Sequence, residues 1–162
     1  MRVAFLFRKE EMKKVILFLI LIAFIDIFFL VQSKSQLLPS WWYNLGLIAP
    51  CALVGGLGGT IYCLRGVYLN ACVRKDWSPS WLPWYYIRPL VSHLCGAISY
   101  LFLKAGLILL EAKETNGSTA FGFLCLAFIA GLNVDKFINK IEDIAQASFG
   151  IEKSRTGKDT EK

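Results

Sequence analysis

Residues 51–66 read CALVGGLGGTIYCLRG, with four glycines in five positions in the middle of an apolar run. A dinucleotide-binding loop needs the pattern G-x-G-x-x-G. From Gly56 the chain reads G-L-G-G-T-I, so the third glycine is missing. A phosphate-binding P-loop needs a lysine directly after its last glycine, and none stands there. The stretch therefore does not predict a nucleotide site.

The small residues of this stretch instead form two adjacent stripes on a helix. At four-residue spacing, one stripe holds Cys51, Gly55, Gly59 and Cys63, and the other holds Ala52, Gly56 and Thr60. Such stripes let helix backbones approach closely, which is a main source of helix association in lipid. We therefore expect the stretch to hold other helices. A helix of the same chain is expected on one stripe, and a second subunit is a candidate for the other.

The composition is that of a membrane protein. Hydrophobic residues make up 56% of the 162 residues, and the mean hydropathy is +0.50. A soluble domain usually holds about 45–50% apolar residues. The excess lies in four apolar runs, at 15–31, 45–64, 90–110 and 119–134. Because a transmembrane helix needs roughly 20 mostly apolar residues, the chain is predicted to be an all-α polytopic membrane protein with four transmembrane helices.

The predicted organisation has four parts. They are a basic N-terminus at 1–14, a four-helix transmembrane domain at 15–134, an amphipathic cytoplasmic helix at 135–149 and a disordered polar tail at 150–162. The amphipathic helix is predicted because its apolar residues recur at helical spacing. Within the membrane domain, residues 65–89 are rich in proline and aromatic residues, so they are expected to form a loop lying against the lipid headgroups.

The distribution of basic residues predicts the orientation. Five Lys and Arg residues precede the first span, four follow the second and six follow the fourth, against two in the other two loops. Basic residues collect on the cytoplasmic side of membrane proteins. We therefore predict a bacterial inner-membrane protein with both termini in the cytoplasm, and the net charge of +6 does not indicate nucleic acid.

The expected partners are membrane lipids, further copies of the same chain and a soluble cytosolic protein. A tetramer is the working expectation for the homo-oligomer. The basic residues on the predicted cytoplasmic side are the candidates for docking the soluble partner: Arg74, Lys75, Arg88, Lys136 and Lys140.

Two charged residues fall inside the predicted spans, Asp26 in the first and Lys104 in the third. Charged groups at membrane depth tend to face a partner charge, protein or water. Counting from the cytoplasmic ends puts both toward the outer leaflet, so an Asp26–Lys104 salt bridge is expected, with the wall of a pore or sensing cavity as the alternative. The single histidine, His93, is expected to be a structural hydrogen-bonding residue, and pH sensing is left open.

No catalytic, cofactor-binding or metal site is predicted. No two of the five cysteines form a CxxC pair, and with one histidine they do not group as zinc ligands. They are interpreted as small apolar residues of a reduced core. Neither a nucleophile elbow nor an HExxH motif occurs, so we expect the chain not to be an enzyme.

Three stretches carry a resemblance to a known class of protein: GGLGGTIYCLRGVYLN at 55–70, WLPWYYIRPLVSHLCGAISYLFLKAGLILL at 81–110 and FLCLAFIAGLNVDKFINKI at 123–141. They resemble small four-span membrane proteins of bacterial anti-phage defence operons, such as the membrane subunit of the Kiwa system. The resemblance implies a homo-oligomeric subunit that senses membrane perturbation or docks a cytosolic effector. A pore-forming or channel effector is the alternative, and a small transporter is a third.

Overall fold

The structure is a computed structural model that describes residues 2–33, 35, 38–109 and 118–150. Every regular element in these ranges is helical. The elements are α1 (Arg2–Gln32), α2 (Ser40–Asn44), α3 (Ile48–Tyr68) with a π-helical turn (Leu69–Val73), a 3-10 turn (Pro79–Trp81), α4 (Leu82–Leu109), α5 (Ser118–Leu132) and α6 (Val134–Phe149).

Three helical segments are long and apolar enough to cross a membrane: Glu10–Gln32, Ile48–Val73 and Pro79–Gly106. A fourth candidate arises only when α5 and α6 are taken together, and the two are bent by 108°. With its 15 residues α5 spans about 22 Å, less than the roughly 30 Å of a bilayer's hydrocarbon core. The predicted all-α fold is therefore confirmed for the described residues, and three of its helical segments, or up to four, are compatible with crossing a membrane.

The ends of the chain differ in part from the predicted organisation. The basic stretch at 1–14 is not a separate segment, because α1 already begins at Arg2. The expected amphipathic helix at 135–149 corresponds to α6, which starts after a non-helical Asn133 (φ −120°, ψ 51°) and ends at a left-handed Gly150. The predicted disordered tail, apart from Gly150, lies outside the described residues.

The loop expected at 65–89 is mostly helical. α3 and its π-helical turn continue to Val73, and the next helical turn begins at Pro79. Pro89 lies inside α4, where its missing N–H removes one backbone hydrogen bond. Membrane helices tolerate such prolines because neighbouring groups satisfy the freed carbonyl. Treating each proline as a helix end therefore placed the start of the third span too late.

Helix α3 is the centre of the bundle and packs against α1, α4 and α5. A Cβ added to Gly96 of α4 would overlap the carbonyl of Cys51, and a Cβ added to Gly131 of α5 would overlap the carbonyl of Gly55. The backbones of three helices therefore touch at one level. α1 lies at the edge of this group, and it is held there by Val15 and Leu19, which pack into a cluster with Cys63.

Candidate functional site

A partly buried polar contact joins α1 to α4. Asp26 is only 2% exposed, and its Oδ1 lies 3.0 Å from Nε2 of His93. The other imidazole nitrogen, Nδ1, lies 2.8 Å from the carbonyl oxygen of Pro89. A carbonyl oxygen can only accept, so Nδ1 carries a proton and donates it. The Nε2–Oδ1 contact then holds one further proton, which either the imidazole or the carboxyl group carries.

The glycine-rich stretch makes room for this histidine. A Cβ at Gly56 would overlap the imidazole of His93, and a Cβ at Gly59 would overlap the hydroxyl of Ser92. That hydroxyl shares its single proton between the carbonyl oxygens of Arg88 (2.9 Å) and Gly131 (3.0 Å). The glycine face of α3 therefore leaves room for two side chains of α4: the imidazole of His93 and the hydroxyl of Ser92, which bridges α4 to α5.

A cavity of about 320 Å³ opens between α1 and α4 beside the polar contact. Its walls are mostly apolar, and Asp26 and His93 form part of them. The lining consists of Phe18, Ile22, Ile25, Asp26, Tyr86, Pro89, Leu90 and His93. Within the described part of the chain, Oδ2 of Asp26 has no hydrogen-bond partner. Buried polar atoms are normally paired, so this oxygen keeps an acceptor position that no described group satisfies.

The expected Asp26–Lys104 salt bridge is replaced by the contact with His93. Nζ of Lys104 donates to the hydroxyl of Tyr100 (3.2 Å) and lies 5.6 Å from that ring's centroid. Lys104 follows His93 by eleven residues, or about 16 Å along α4. Because α4 begins at Leu82 and not at residue 90, it is His93 that reaches the depth of Asp26, while Lys104 lies farther along the helix.

Arg88, one of the expected docking residues, is buried. Its side chain is 6% exposed, and its guanidinium lies over the rings of Tyr62 (4.8 Å) and Trp84 (5.4 Å). One of its nitrogens donates to Asp135 Oδ2 at 2.8 Å. Arg88 therefore ties α4 to the first turn of α6, and it is not available on the surface. The other four candidates, Arg74, Lys75, Lys136 and Lys140, are exposed.

The two small-residue stripes are covered within one chain. Gly55 contacts Gly96 of α4 and Gly131 of α5. The ends of the first stripe are buried as well, Cys51 in a cluster with aromatic residues of α4 and α5, and Cys63 in the cluster that holds α1. The second stripe meets α4 through Gly56. A second subunit is therefore not needed to explain either stripe, and the expected oligomer contact does not lie here.

No family model, curated protein or solved structure matches this chain. The resemblance to membrane subunits of defence operons stays a prediction.

Proposed function

We propose that this chain is a non-enzymatic, multi-pass membrane subunit that senses perturbation of its bilayer and passes the signal to a cytosolic partner. The observation that carries the proposal is the Asp26–His93 contact. It joins the least buried of the three candidate spans to the bundle at membrane depth. We call this contact, with the adjoining cavity, the latch.

Helix α1 suits the sensing role because it exposes a broad apolar face. Five of its large side chains are more than half exposed: Leu17, Leu21, Phe24, Phe28 and Val31. A helix in contact with lipid tilts or shifts when the bilayer changes thickness, at a cost of fractions of a kcal/mol per Å of mismatch. An interhelical polar contact in a membrane contributes about 1–2 kcal/mol or less. A mismatch of a few Å is therefore enough to shift the latch between closed and open populations.

Contacts along α4 supply a route from the latch to α6. His93 donates to the carbonyl of Pro89, and the preceding residue, Arg88, binds Asp135 at the start of α6. Ser92 adds a second connection, because its hydroxyl donates to the carbonyl of Gly131 close to the bend between α5 and α6. Energetic coupling travels through packed and hydrogen-bonded groups of this kind when one of them has two arrangements, and in this proposal the latch is that two-state element.

Helix α6 is the surface offered to a cytosolic partner. It exposes Lys136 and Lys140 together with the apolar Ile138 and Ile144. The distribution of basic residues supports an arrangement of four spans with both termini in the cytoplasm. In that arrangement α5 supplies the fourth crossing, and α6, bent by 108° from it, runs along the inner membrane surface.

Two further parts of the proposal rest on the resemblance alone. They are the homo-oligomer, with a tetramer as its working size, and a role in anti-phage defence at the bacterial inner membrane. The pore-forming alternative requires Asp26 and Lys104 to line a water-filled pore. Asp26 is 2% exposed within a single chain and engaged with His93, so the pore has no supporting contact at that residue.

Hydrogen–deuterium exchange of the full chain in lipid nanodiscs tests whether the latch and α6 are coupled. Asp26→Leu keeps a side chain of similar size and removes both carboxyl oxygens, so no hydrogen bond to Nε2 of His93 remains. We expect backbone exchange in α6 to rise by about threefold or more, because the turn of α4 that carries Arg88 and His93 loses its polar contact with α1 and holds Asp135 less firmly. Wild-type exchange in α6 should also differ between thin and thick bilayers, and the difference should shrink in the variant.

Phe28→Leu, on the lipid-facing side of α1, is the matched control and should exchange as the wild type does. Equal α6 exchange in Asp26→Leu and the wild type, with both chains folded, would overturn the proposal.

A further inference from the structure

A second cavity, of about 320 Å³, lies between the end of α3 and the start of α4. The side chains that decide its chemistry are Arg65, Asn70, Arg74, Trp81, Trp84 and Tyr85. The described residues of its lining include two guanidinium groups and no carboxylate. We propose that this cavity binds a phosphate group at the membrane surface, and that an anionic phospholipid headgroup supplies it. The proposal does not rest on the function proposed for the latch.

The cavity has uncompensated positive charge. Arg65 and Arg74 are both exposed, and within the part of the chain that the structure describes neither guanidinium makes an ion pair or a hydrogen bond. Arginine's planar donors match phosphate oxygens in paired hydrogen bonds. Two such groups at one cavity therefore favour an anion of this shape.

Packed side chains fix the walls of the cavity. Trp77 stacks on Tyr85 with ring centroids 5.4 Å apart, and Trp84 meets the same ring edge-on at 5.1 Å. The Tyr85 hydroxyl accepts a hydrogen bond from Asn70 Nδ2 at 3.2 Å, which attaches the wall to the π-helical turn. Gly66 leaves space beside Tyr85, since a Cβ there would already lie 3.4 Å from the hydroxyl. The cavity is therefore formed before any ligand enters.

The depth of the cavity favours a lipid as the source of the phosphate. The span Ile48–Val73 has 26 residues and is close to 40 Å long, about 10 Å more than the hydrocarbon core. Its last turns therefore reach the headgroup layer. Trp81, which is 49% exposed, and the neighbouring aromatic rings are the residue types that concentrate at that layer. A headgroup phosphate meets the guanidiniums here while its acyl chains stay in the bilayer.

Native mass spectrometry of the full chain in a neutral detergent tests the site by titration with phosphatidylglycerol. Arg65→Gln combined with Arg74→Gln should weaken phosphatidylglycerol binding by about tenfold or more, because both guanidinium groups that hydrogen-bond the phosphate are removed. Lys136→Gln combined with Lys140→Gln takes the same charge from exposed α6 and should change binding less than about twofold. Arg65→Lys with Arg74→Lys keeps the charge, protects the fold and should give an intermediate loss.

Competition separates the two sources of phosphate. Phosphatidylglycerol that stays bound in millimolar inorganic phosphate supports a headgroup site. Displacement by inorganic phosphate or glycerol 3-phosphate supports the same phosphate chemistry with a free ligand, and overturns the lipid as its source. Wild-type affinity for phosphatidylglycerol in both arginine double variants, or an equal loss in the α6 control, would overturn the site.

Discussion

Gly131→Ala is expected to lower the free energy of unfolding by about 2–3 kcal/mol, the upper range for overpacking. The added Cβ would overlap the carbonyl of Gly55, and a backbone group on the central helix cannot move aside as a side chain can. The change also pushes α5 away from α3 at the level where α4 meets them. Thermal unfolding in mild detergent, followed by tryptophan fluorescence, measures the effect.

Gly122→Ala is the matched control on the same helix. A Cβ at this position meets nothing within 4 Å. Alanine is the better helix former by up to about 1 kcal/mol, so this variant should be as stable as the wild type or more stable. The same substitution thus has opposite signs at two positions of α5. If Gly131→Ala unfolds at the same temperature as Gly122→Ala, the close approach of α3 and α5 is wrong.

Removing one member of the latch should destabilise the chain more than removing both. His93→Leu leaves the carboxyl group of Asp26 buried without its partner, and we expect a loss of about 2–3 kcal/mol. Asp26→Leu should lower the stability by a similar amount, because it leaves Nε2 of His93 without its partner. In the double variant no polar group is left unpaired, so part of the loss should be recovered. A double-mutant cycle should give a coupling energy of about 1–2 kcal/mol.

Lys104→Leu supplies the control cycle with Asp26→Leu. Because Lys104 lies about 16 Å beyond His93 along α4, these two substitutions should be additive to within about 0.5 kcal/mol. Additivity between Asp26 and His93, or strong coupling between Asp26 and Lys104, would contradict the contact that the structure shows and restore the salt bridge that the sequence predicted.

The packing of the glycine-rich helix could be predicted from the sequence because it depends on local spacing. Glycines four residues apart lie on one helix face wherever the helix is placed, so a close helix contact follows without knowing the partner. The spacing does not predict which side chains of the neighbouring helices pack against that face. Gly56 accommodates an imidazole and Gly59 a hydroxyl, and both come from α4.

The partner of Asp26 could not be predicted because it depends on where α4 begins. Because of Pro89, the third span was predicted to start at residue 90, whereas α4 begins eight residues earlier, at Leu82. Eight residues of helix are about 12 Å, enough to bring the wrong side chain to a given depth. Arg88 was misjudged for a related reason. A basic residue near a membrane surface either extends into water or stacks on aromatic rings. For Arg88 the packing of Tyr62 and Trp84 decides for the stacked position, and that packing cannot be read from the sequence.

The central claim is that Asp26 and His93 are in contact inside the membrane, and a carbon–nitrogen distance in a lipid bilayer tests it most directly. The chain has one histidine, so ¹⁵N-histidine labels a single ring when the affinity tag contains none. With ¹³C-labelled aspartate carboxyls, dipolar recoupling by solid-state NMR detects only a carboxyl close to that ring. The account predicts strong dephasing of one carboxyl signal, as a 3.0 Å Nε2–Oδ1 contact requires, and its loss in Asp26→Asn. Wild-type spectra without dephasing would contradict it.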